Sequence, residues 1–320
     1  MYPPVQPYVS GFLRVSEVHE LYYEVCGNPH AKHTAVFLHG GPGGTLSDTY
    51  RQFFDPHLYR VVLFNQRGAG KSKPSGCLQE NTIWHLVEDI ERLRNYINHT
   101  QELQIQKWIV LGGSWGSALA LAYSEKYPER VKALIVCCVF TASRKEMDWT
   151  YKAGASFLWP EAWEKFLQPI PEAERPELLS AYHRRLTGAD EQERQKCAKA
   201  WTLWELSTSS FFPDEEAIAR ASDETYSSVF SSFESEYFVH GGYLKYDGQL
   251  IQEAEKMKDV PGFIIHGRYD MVCPVSTAWE LKKHWPRAEL VIVPDAGHAP
   301  RDGIVREIIK ATNTLASTLQ

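Results

Sequence analysis

A chain of 320 residues that is 43% hydrophobic and 23% charged has ordinary globular composition, which excludes an intrinsically disordered protein. Its net charge of −6 disfavours nucleic acid and anionic lipid surfaces as partners. Six cysteines without disulfide or zinc spacing indicate reduced thiols, and the lack of a signal-type leader or a long apolar run predicts a cytoplasmic protein without a membrane span. The length favours one core domain with an insertion over two independent halves.

The first third of the chain alternates predicted strands and helices. Residues 11–25 alternate apolar and polar positions, which predicts an antiparallel hairpin at a sheet edge. Residues 34–38 and 60–64 are short apolar runs of the buried-strand type, and the first of them leads directly into a glycine-rich loop at 39–44. Residues 82–98 carry apolar side chains at helical spacing. This alternation is typical of an α/β fold with a mainly parallel sheet.

The next segment contains a Gly-x-Ser-x-Gly pattern centred on Ser114. An apolar run at 108–111 leads into the pattern, an Ala/Leu-rich helical pattern follows it, and residues 131–139 form the next predicted strand. A strand-turn-helix context is what a nucleophile elbow requires, with Gly112 and Gly116 allowing strand and helix to approach closely. The short pattern also fits a plain glycine-rich turn, so interpreting Ser114 as a nucleophile depends on finding its partners.

Those partners follow two later strands of buried type. Asp270 ends the polar loop after the first strand, and His298 lies in the loop after the second. A nucleophile, an acid and a histidine in the chain order Ser114, Asp270, His298 resemble the arrangement of α/β-hydrolases, unlike the orders of the chymotrypsin and subtilisin families. We therefore predict a Ser-His-Asp triad at the carboxyl ends of neighbouring strands.

The glycine-rich loop after the first buried strand is predicted to form half of an oxyanion hole. The expected donors are the backbone N–H groups of Gly41 and Trp115. A phosphate-binding loop is the weaker interpretation, because no Gly-Lys-Ser/Thr ending follows and Pro42 lacks an N–H group. His39 and His266 are rivals for the catalytic base, but both precede glycines at strand ends and are interpreted as loop-supporting groups.

The composition changes between residues 141 and 242, which are rich in Trp, Glu and Arg, are interrupted by prolines, and lack an apolar strand-type run. We predict a helical cap domain here, inserted into a core domain formed by residues 1–140 and 243–320. The fold class is thus an α/β-hydrolase sheet with helices on both faces and an inserted helical cap. Most of the cap aromatics are expected in its core and a few at a pocket: Trp149, Tyr151, Phe157, Trp159, Trp201, Trp204, Phe211, Phe212, Tyr237 and Phe238.

A set of short motifs between residues 39 and 298 is more specific than the fold pattern. They occupy residues 39–44, 66–72, 81–94, 112–117, 201–205, 266–274 and 293–298. With these motifs the chain resembles the prolyl (proline) iminopeptidases, serine peptidases of the α/β-hydrolase fold. The resemblance implies removal of N-terminal proline from small peptides, with no cofactor and no metal ion.

The resemblance also assigns residues that bind the substrate. An enzyme that recognises a protonated N-terminal amine needs carboxylates near the nucleophile, and Glu205 and Glu234 match the family's amine-binding glutamates. Glu236 is the rival for the second of these roles, and solvated surface acids are the alternative interpretation of all three. Phe140 resembles the family's aromatic wall for the proline ring, with a plain core role as its alternative.

Three departures from the family pattern bear on specificity. Asn65 stands where many members have aspartate, Cys137 and Cys138 stand where an Arg-Gly pair is common, and Ala299 replaces a more usual serine. Broader aminopeptidase action therefore stays open. An esterase would have no use for paired cap acids, epoxide hydrolases carry aspartate at the position of Ser114, and a non-catalytic binding protein would normally have lost a triad residue.

Overall fold

The apolar runs of the sequence form one mixed sheet in a computed structural model, which describes residues 1–210, 212, 215–299 and 301–319, the side chains of residues 216, 217 and 302 excepted. The described residues form a sheet of eight strands in the order β1-β2-β4-β3-β5-β6-β7-β8. The strands are β1 (Val9–Arg14), β2 (Glu20–Gly27), β3 (His33–Leu38), β4 (Tyr59–Phe64), β5 (Trp108–Ser114), β6 (Val131–Val139), β7 (Gly262–Gly267) and β8 (Ala288–Val293).

The strand pairing confirms the α/β-hydrolase fold class. Strands β1 and β2 form the predicted antiparallel hairpin, with β1 at the sheet edge, and β2 pairs antiparallel with β4. All remaining neighbours pair in parallel. Every residue of β3 and β4 is buried, as continuous apolar runs in a sheet covered on both faces should be. Parallel pairing brings the carboxyl ends of β5, β7 and β8 to one edge of the sheet.

Helices cover both faces of the sheet. On one face Leu86, Leu119 and Leu281 join the larger hydrophobic core, while Ile308 joins the core of the opposite face. The helices are α1 (Ile83–Thr100), α2 (Trp115–Lys126), α3 (Arg144–Tyr151), α4 (Pro160–Leu167), α5 (Leu178–Leu186), α6 (Glu191–Ser209), α7 (Glu215–Arg220), α8 (Glu224–Val239), α9 (Gln249–Gln252), α10 (Val275–His284) and α11 (Asp302–Thr318).

Helices α3 to α8 lie within the segment predicted as a cap, while the domain boundaries at 140/141 and 242/243 stay predictions. An aromatic cluster joins α4, α5 and α6: the Phe166 ring stacks on Tyr182 at 4.5 Å and on Trp204 at 5.5 Å. Phe157 and Phe212 are instead 80% and 78% exposed, so neither belongs to the cap core. Phe211 lies outside the described residues.

Two further features of the chain concern its thiols and its helices. All six cysteines fall within the described ranges, and all six are free thiols, as the irregular spacing predicted. Among the described residues, no helix is both long enough and apolar enough to cross a membrane.

Candidate active site

Ser114 occupies a strained turn between β5 and α2. It ends β5 with φ of 55° and ψ of −127°, and the register between β5 and β6 shifts at the step from Gly113 to Ser114. A Cβ atom on Gly112 would lie 2.0 Å from the carbonyl oxygen of Gly116, and one on Gly116 would lie 2.1 Å from the carbonyl oxygen of Leu38. Only glycine fits at these two positions, and their close packing holds the serine in its sparsely populated conformation.

The structure brings the three predicted triad residues together. His298 Nε2 lies 3.1 Å from Ser114 Oγ, and His298 Nδ1 lies 2.9 Å from Asp270 Oδ2. The backbone N–H groups of Val272 and Cys273 donate to Asp270 Oδ1 at 3.1 Å and 2.8 Å. The aspartate is buried, so these donors and the imidazole satisfy a carboxylate that water does not reach. The distances fit proton transfer between the serine hydroxyl and the imidazole.

Electrostatics keeps Asp270 ionised and favours a proton on His298. Burial opposes the charge on Asp270, but the positive charge of His298, its hydrogen bond and the N–H group of Cys273 outweigh burial and lower the pKa of the aspartate. Burial likewise opposes the charged imidazole, while Asp270 and Glu205 outweigh it and raise the pKa of His298 above its ordinary value. The site therefore stabilises the imidazolium that would form as the serine loses its proton.

The two rival histidines hydrogen-bond to backbone groups of neighbouring loops, and His266 Nε2 also lies 3.5 Å from Asp270 Oδ2. His39 Nε2 accepts the backbone N–H of Gln66 at 3.0 Å, and its Nδ1–H donates to the Gly40 carbonyl at 2.9 Å. Nδ1 of His266 accepts the N–H of Val139 at 3.0 Å, and its Nε2–H donates to the carbonyl of Cys273 at 2.7 Å. Burial lowers the pKa of His39 to about 4 and also lowers that of His266, so both support loops as neutral rings.

The residues predicted as oxyanion donors lie beside the serine. Trp115 is the first residue of α2, where a backbone N–H has no acceptor within the helix. Gly41 belongs to the loop after β3, and a Cβ atom on its neighbour Gly40 would lie 3.3 Å from the Cβ of Ser114. The indole Nε1–H of Trp115 donates to Gln66 at 2.9 Å, and the Gln66 amide donates to the carbonyl of His39 at 2.8 Å, which ties the loop to α2.

A cavity of about 500 Å³ lies between the sheet edge and helices of the predicted cap. This volume is within the range of small-ligand sites. Ser114, His298 and Gly41 form its floor, and the cap contributes the carboxylates of Glu205 and Glu234 to its wall. The tertiary structure thus brings two acids from separate helices into the same space as the predicted triad.

Each of the two cap carboxylates is held by an aromatic donor. The Tyr151 hydroxyl donates to Glu205 Oε1 at 2.6 Å, and the Trp201 indole N–H donates to Glu234 Oε2 at 2.6 Å. The rings of Tyr151 and Trp201 stack with centroids 4.8 Å apart, so the two donors form one unit. Sequence spacing predicts Tyr151 and Trp201 only as cap aromatics and does not reveal this positioning role, because no spacing signal links Trp201 to a glutamate on another helix.

Burial dominates the titration of both acids. It raises the pKa of Glu205 despite the Tyr151 hydrogen bond and the charge of His298. It raises the pKa of Glu234 well above the ordinary value, and the neighbouring Glu205 charge adds to this increase. Two carboxyls in this state gain strongly from a cationic ligand, because one positive charge relieves both the burial and the mutual repulsion.

The rival acid and the predicted aromatic wall have different surroundings. Glu236 accepts hydrogen bonds from Tyr243 and from His183 Nε2, the latter at 2.7 Å, and it does not belong to the described lining of the cavity. Phe140 does line the cavity, and its ring packs against Phe238 with centroids 5.6 Å apart. Phe140 is therefore both a buried core residue and part of the cavity lining.

One group of potential metal ligands coincides with the triad. Among the described residues, ligand atoms of Cys138, Asp270 and His298 lie within 4.8 Å of one another. The carboxylate and the imidazole are hydrogen-bonded to each other, and the Cys138 thiol donates to the backbone carbonyl of His298 at 3.1 Å. These bonds use the same atoms that an ion would need, so the geometry fits a triad better than a metal centre.

Comparisons with known proteins agree with this architecture. A family model described as the alpha/beta hydrolase fold matches residues 36–300. A putative lipase from Acinetobacter baumannii superimposes with a TM-score of 0.62 at 18% identity, over 99% of this chain and 93% of that one. The esterase RhEst1 from Rhodococcus gives a TM-score of 0.62 at 15% identity, over 99% and 100%. The protein is an α/β-hydrolase, and at these identities the solved structures define the fold alone.

Full-length relatives define the family within this class. A probable proline iminopeptidase from Leptolyngbya boryana is 48% identical over 314 residues, with 98% of this chain and 96% of the relative covered. The proline iminopeptidase of Xanthomonas citri is 46% identical over 99% of both chains, and that of Arabidopsis thaliana is 46% identical over 100% of this chain and 83% of its own length. The chain belongs to the proline iminopeptidase family, as its motifs predicted.

Proposed function

We propose that this enzyme is a serine exopeptidase that releases proline from the N-terminus of small peptides. One observation carries the proposal: Glu205 and Glu234 line the same cavity as Ser114 and His298. A general serine hydrolase needs the triad but has no use for two buried carboxyls beside it. Buried acids are costly unless they are paired, and a protonated N-terminal amine is the partner that a peptide would supply. Family membership supports the same substrate.

The proposed mechanism is acyl transfer through Ser114. His298 accepts the serine proton as Oγ attacks the carbonyl carbon of the N-terminal residue, and Asp270 holds the imidazole orientation through its hydrogen bond to Nδ1–H. The backbone N–H groups of Gly41 and Trp115 stabilise the oxyanion. His298 then gives its proton to the leaving amine, and a water molecule activated by the same imidazole hydrolyses the acyl-enzyme.

Recognition of the free amine would restrict cleavage to the first residue. A proline nitrogen bound between Glu205 and Glu234 fixes the adjacent carbonyl over Ser114, while Phe140 and Phe238 enclose the ring from the side. A peptide blocked at nitrogen carries no charge to compensate the two acids and leaves them buried without a partner. The expected substrates are small peptides with a free N-terminal proline, without nucleic acid, membrane or cofactor, and the free thiols support a cytoplasmic site of action.

Rates on a prolyl arylamide and on its N-acetylated form test the proposal. We expect kcat/KM for the free amine to exceed that for the acetylated compound by about a thousandfold or more, because binding of the charged amine also aligns the scissile bond. Ser114→Ala should lower kcat/KM for both compounds by several orders of magnitude. Comparable rates on the two compounds, or turnover of simple esters alone, would contradict the peptidase assignment.

A further inference from the structure

The cavity that holds the predicted triad extends well beyond the two glutamates, along one face of α8. Tyr226, Phe230, Glu234 and Phe238 recur every four residues on this helix, and all four line the cavity. Glu234 and Phe238 are buried, whereas Tyr226 and Phe230 are half-buried. The cavity is therefore closed at the glutamate end and more open at the Tyr226 end.

Arg220 lines the open end of the same cavity. It ends α7, and its guanidinium carbon lies 5.9 Å from the centroid of the Tyr226 ring. Among the described residues that line the cavity, Arg220 is the only lysine or arginine. Its positive charge also works to lower the pKa values of Tyr50 and Tyr226, against a larger raising effect of burial, which is consistent with both hydroxyls lying near it.

The two ends of the cavity thus carry ionisable groups of opposite kind, carboxyl groups at one end and a guanidinium at the other. The closed end presents Glu205 and Glu234, and the open end presents Arg220 with the hydroxyls of Tyr50 and Tyr226. A peptide with free termini has the complementary pattern, an ammonium group at one end and a carboxylate at the other. An arginine flanked by hydroxyl donors is well suited to bind a carboxylate.

We propose that Arg220 binds the C-terminal carboxylate of a short peptide substrate and so makes the enzyme selective for peptides of about three residues. The inference rests on the proposed function and adds to it the length and C-terminal chemistry of the substrate. None of the motifs that carry the family resemblance includes Arg220, which lies in the sequence between the motif at 201–205 and Glu234.

The spacing of side chains along α8 sets the length of peptide that the cavity can hold between its two ends. Glu234 follows Tyr226 by eight residues, a separation of about 12 Å along the helix axis. An extended peptide spans about 3.3–3.6 Å per residue, so a tripeptide covers about 10 Å, close to the separation of Glu234 and Tyr226, and the guanidinium of Arg220 lies beside the Tyr226 ring. A dipeptide is too short to engage both ends fully. A longer peptide passes Arg220 and leaves through the open end with its carboxylate in solvent.

The test compares glycine-extended peptides that differ in their C-terminal group. Pro-Gly, Pro-Gly-Gly and Pro-Gly-Gly-Gly-Gly are each prepared as free acid and as C-terminal amide, and kcat/KM is measured for every pair. A general change in activity affects the acid and the amide equally, so it does not alter the ratio of their kcat/KM values. For the unmodified enzyme we expect a ratio of about ten for the tripeptide, which corresponds to one charge-assisted contact, and ratios near one for the pentapeptide.

Three variants test whether the guanidinium of Arg220 causes the difference in kcat/KM between the free acid and the amide. Arg220→Gln should lower the tripeptide ratio to about one, and Arg220→Lys should retain an intermediate value because it keeps the charge but not the paired N–H groups. Lys199→Gln is the matched control, since Lys199 is an exposed cation on a separate groove of the cap, and its ratio should equal that of the unmodified enzyme.

The outcomes separate this inference from the proposed function. An enzyme that hydrolyses the prolyl arylamide but shows equal rates on acid and amide, or the same ratio with Arg220→Gln, overturns the carboxylate subsite and leaves the peptidase standing. A ratio that stays high for the pentapeptide overturns the length selection. An enzyme that hydrolyses neither the arylamide nor any peptide overturns both proposals.

Discussion

At the scale of single residues, the unusual feature of the site is how the cap glutamates are held. Each accepts one short hydrogen bond from a buried aromatic side chain, Glu205 from Tyr151 and Glu234 from Trp201. The other oxygen of each carboxyl accepts no hydrogen bond from the described part of the chain and can therefore face a ligand. These two donors therefore fix the position of the carboxylates while leaving them able to bind an amine.

Replacing Trp201 by phenylalanine should weaken binding of the amine without changing the chemical step. The change keeps an aromatic ring against Tyr151 but removes the N–H donor to Glu234, which raises the pKa of that carboxyl further because the hydrogen bond works to lower it. We expect KM for a prolyl arylamide to rise about tenfold, as for the loss of a hydrogen bond to a charged group, with kcat nearly constant.

Trp204→Phe provides the control for this prediction. Trp204 is also buried on α6, but its indole nitrogen has no hydrogen-bond partner among the described residues. Its replacement should change KM by less than about twofold, because no bond to a carboxylate is lost. Equal effects of the two replacements would indicate that packing, and not the N–H of Trp201, controls the glutamates.

At the scale of elements, the site depends on how closely β5 and α2 approach each other. The carbonyl oxygen of Gly116 occupies the space that a side chain on Gly112 would need, so strand and helix meet backbone to backbone. This contact leads the chain from β5 into α2 within one residue and projects Ser114 from the turn. The elbow is thus a packing constraint between two elements as much as a local sequence pattern.

Gly112→Ala should destabilise the protein by about 3 kcal/mol or more, because its Cβ atom would lie 2.0 Å from the carbonyl oxygen of Gly116. Gly11→Ala on β1 is the matched control: its nearest neighbour would be the Tyr23 ring at 3.4 Å, an ordinary contact, and its effect should stay within about 0.5 kcal/mol. Urea unfolding of both variants gives the comparison. A mild effect of Gly112→Ala would show that strand and helix can separate at low cost.

At the scale of the whole molecule, stability should depend on a buried acid remote from the triad. Glu125 lies on α2, is buried, and neither of its carboxyl oxygens has a hydrogen-bond partner among the described residues. Burial, reinforced by the charge of Glu253, raises its pKa well above the ordinary value. The folded state therefore holds the proton of Glu125 more tightly than the unfolded state does. The resulting contribution to the free energy of unfolding is complete below pH about 4 and is lost as the pH rises through the raised pKa.

Glu125→Gln should consequently stabilise the protein more at alkaline than at acidic pH, since glutamine cannot ionise. The free energy of unfolding from urea titrations at pH about 5 and about 8.5 measures the difference between the variant and the unmodified protein. Glu129→Gln is the control, because the Glu129 side chain is 59% exposed and its loss should have a small effect at both pH values. A pH-independent effect of Glu125→Gln would mean that Glu125 finds a partner when ionised.

The sequence by itself determined the fold class and the three residues proposed as the triad. Ser114, Asp270 and His298 each follow a recognisable buried strand, and parallel pairing necessarily brings the carboxyl ends of such strands to one edge. Local patterns of hydrophobic periodicity and glycine spacing contain this information because strand burial and tight turns are local requirements.

Only the tertiary structure decided which cap residues face the cavity. Glu234 and Glu236 are two residues apart on α8 and therefore point in different directions, yet nothing in their sequence spacing says which direction is inward. The side chains that hold the two glutamates, Tyr151 and Trp201, come from different helices, and Arg220 at the other end of the cavity comes from a third. They converge only because the cap helices pack against one another. Such long-range contacts depend on how helices pack against one another, and no short segment of the chain records that packing.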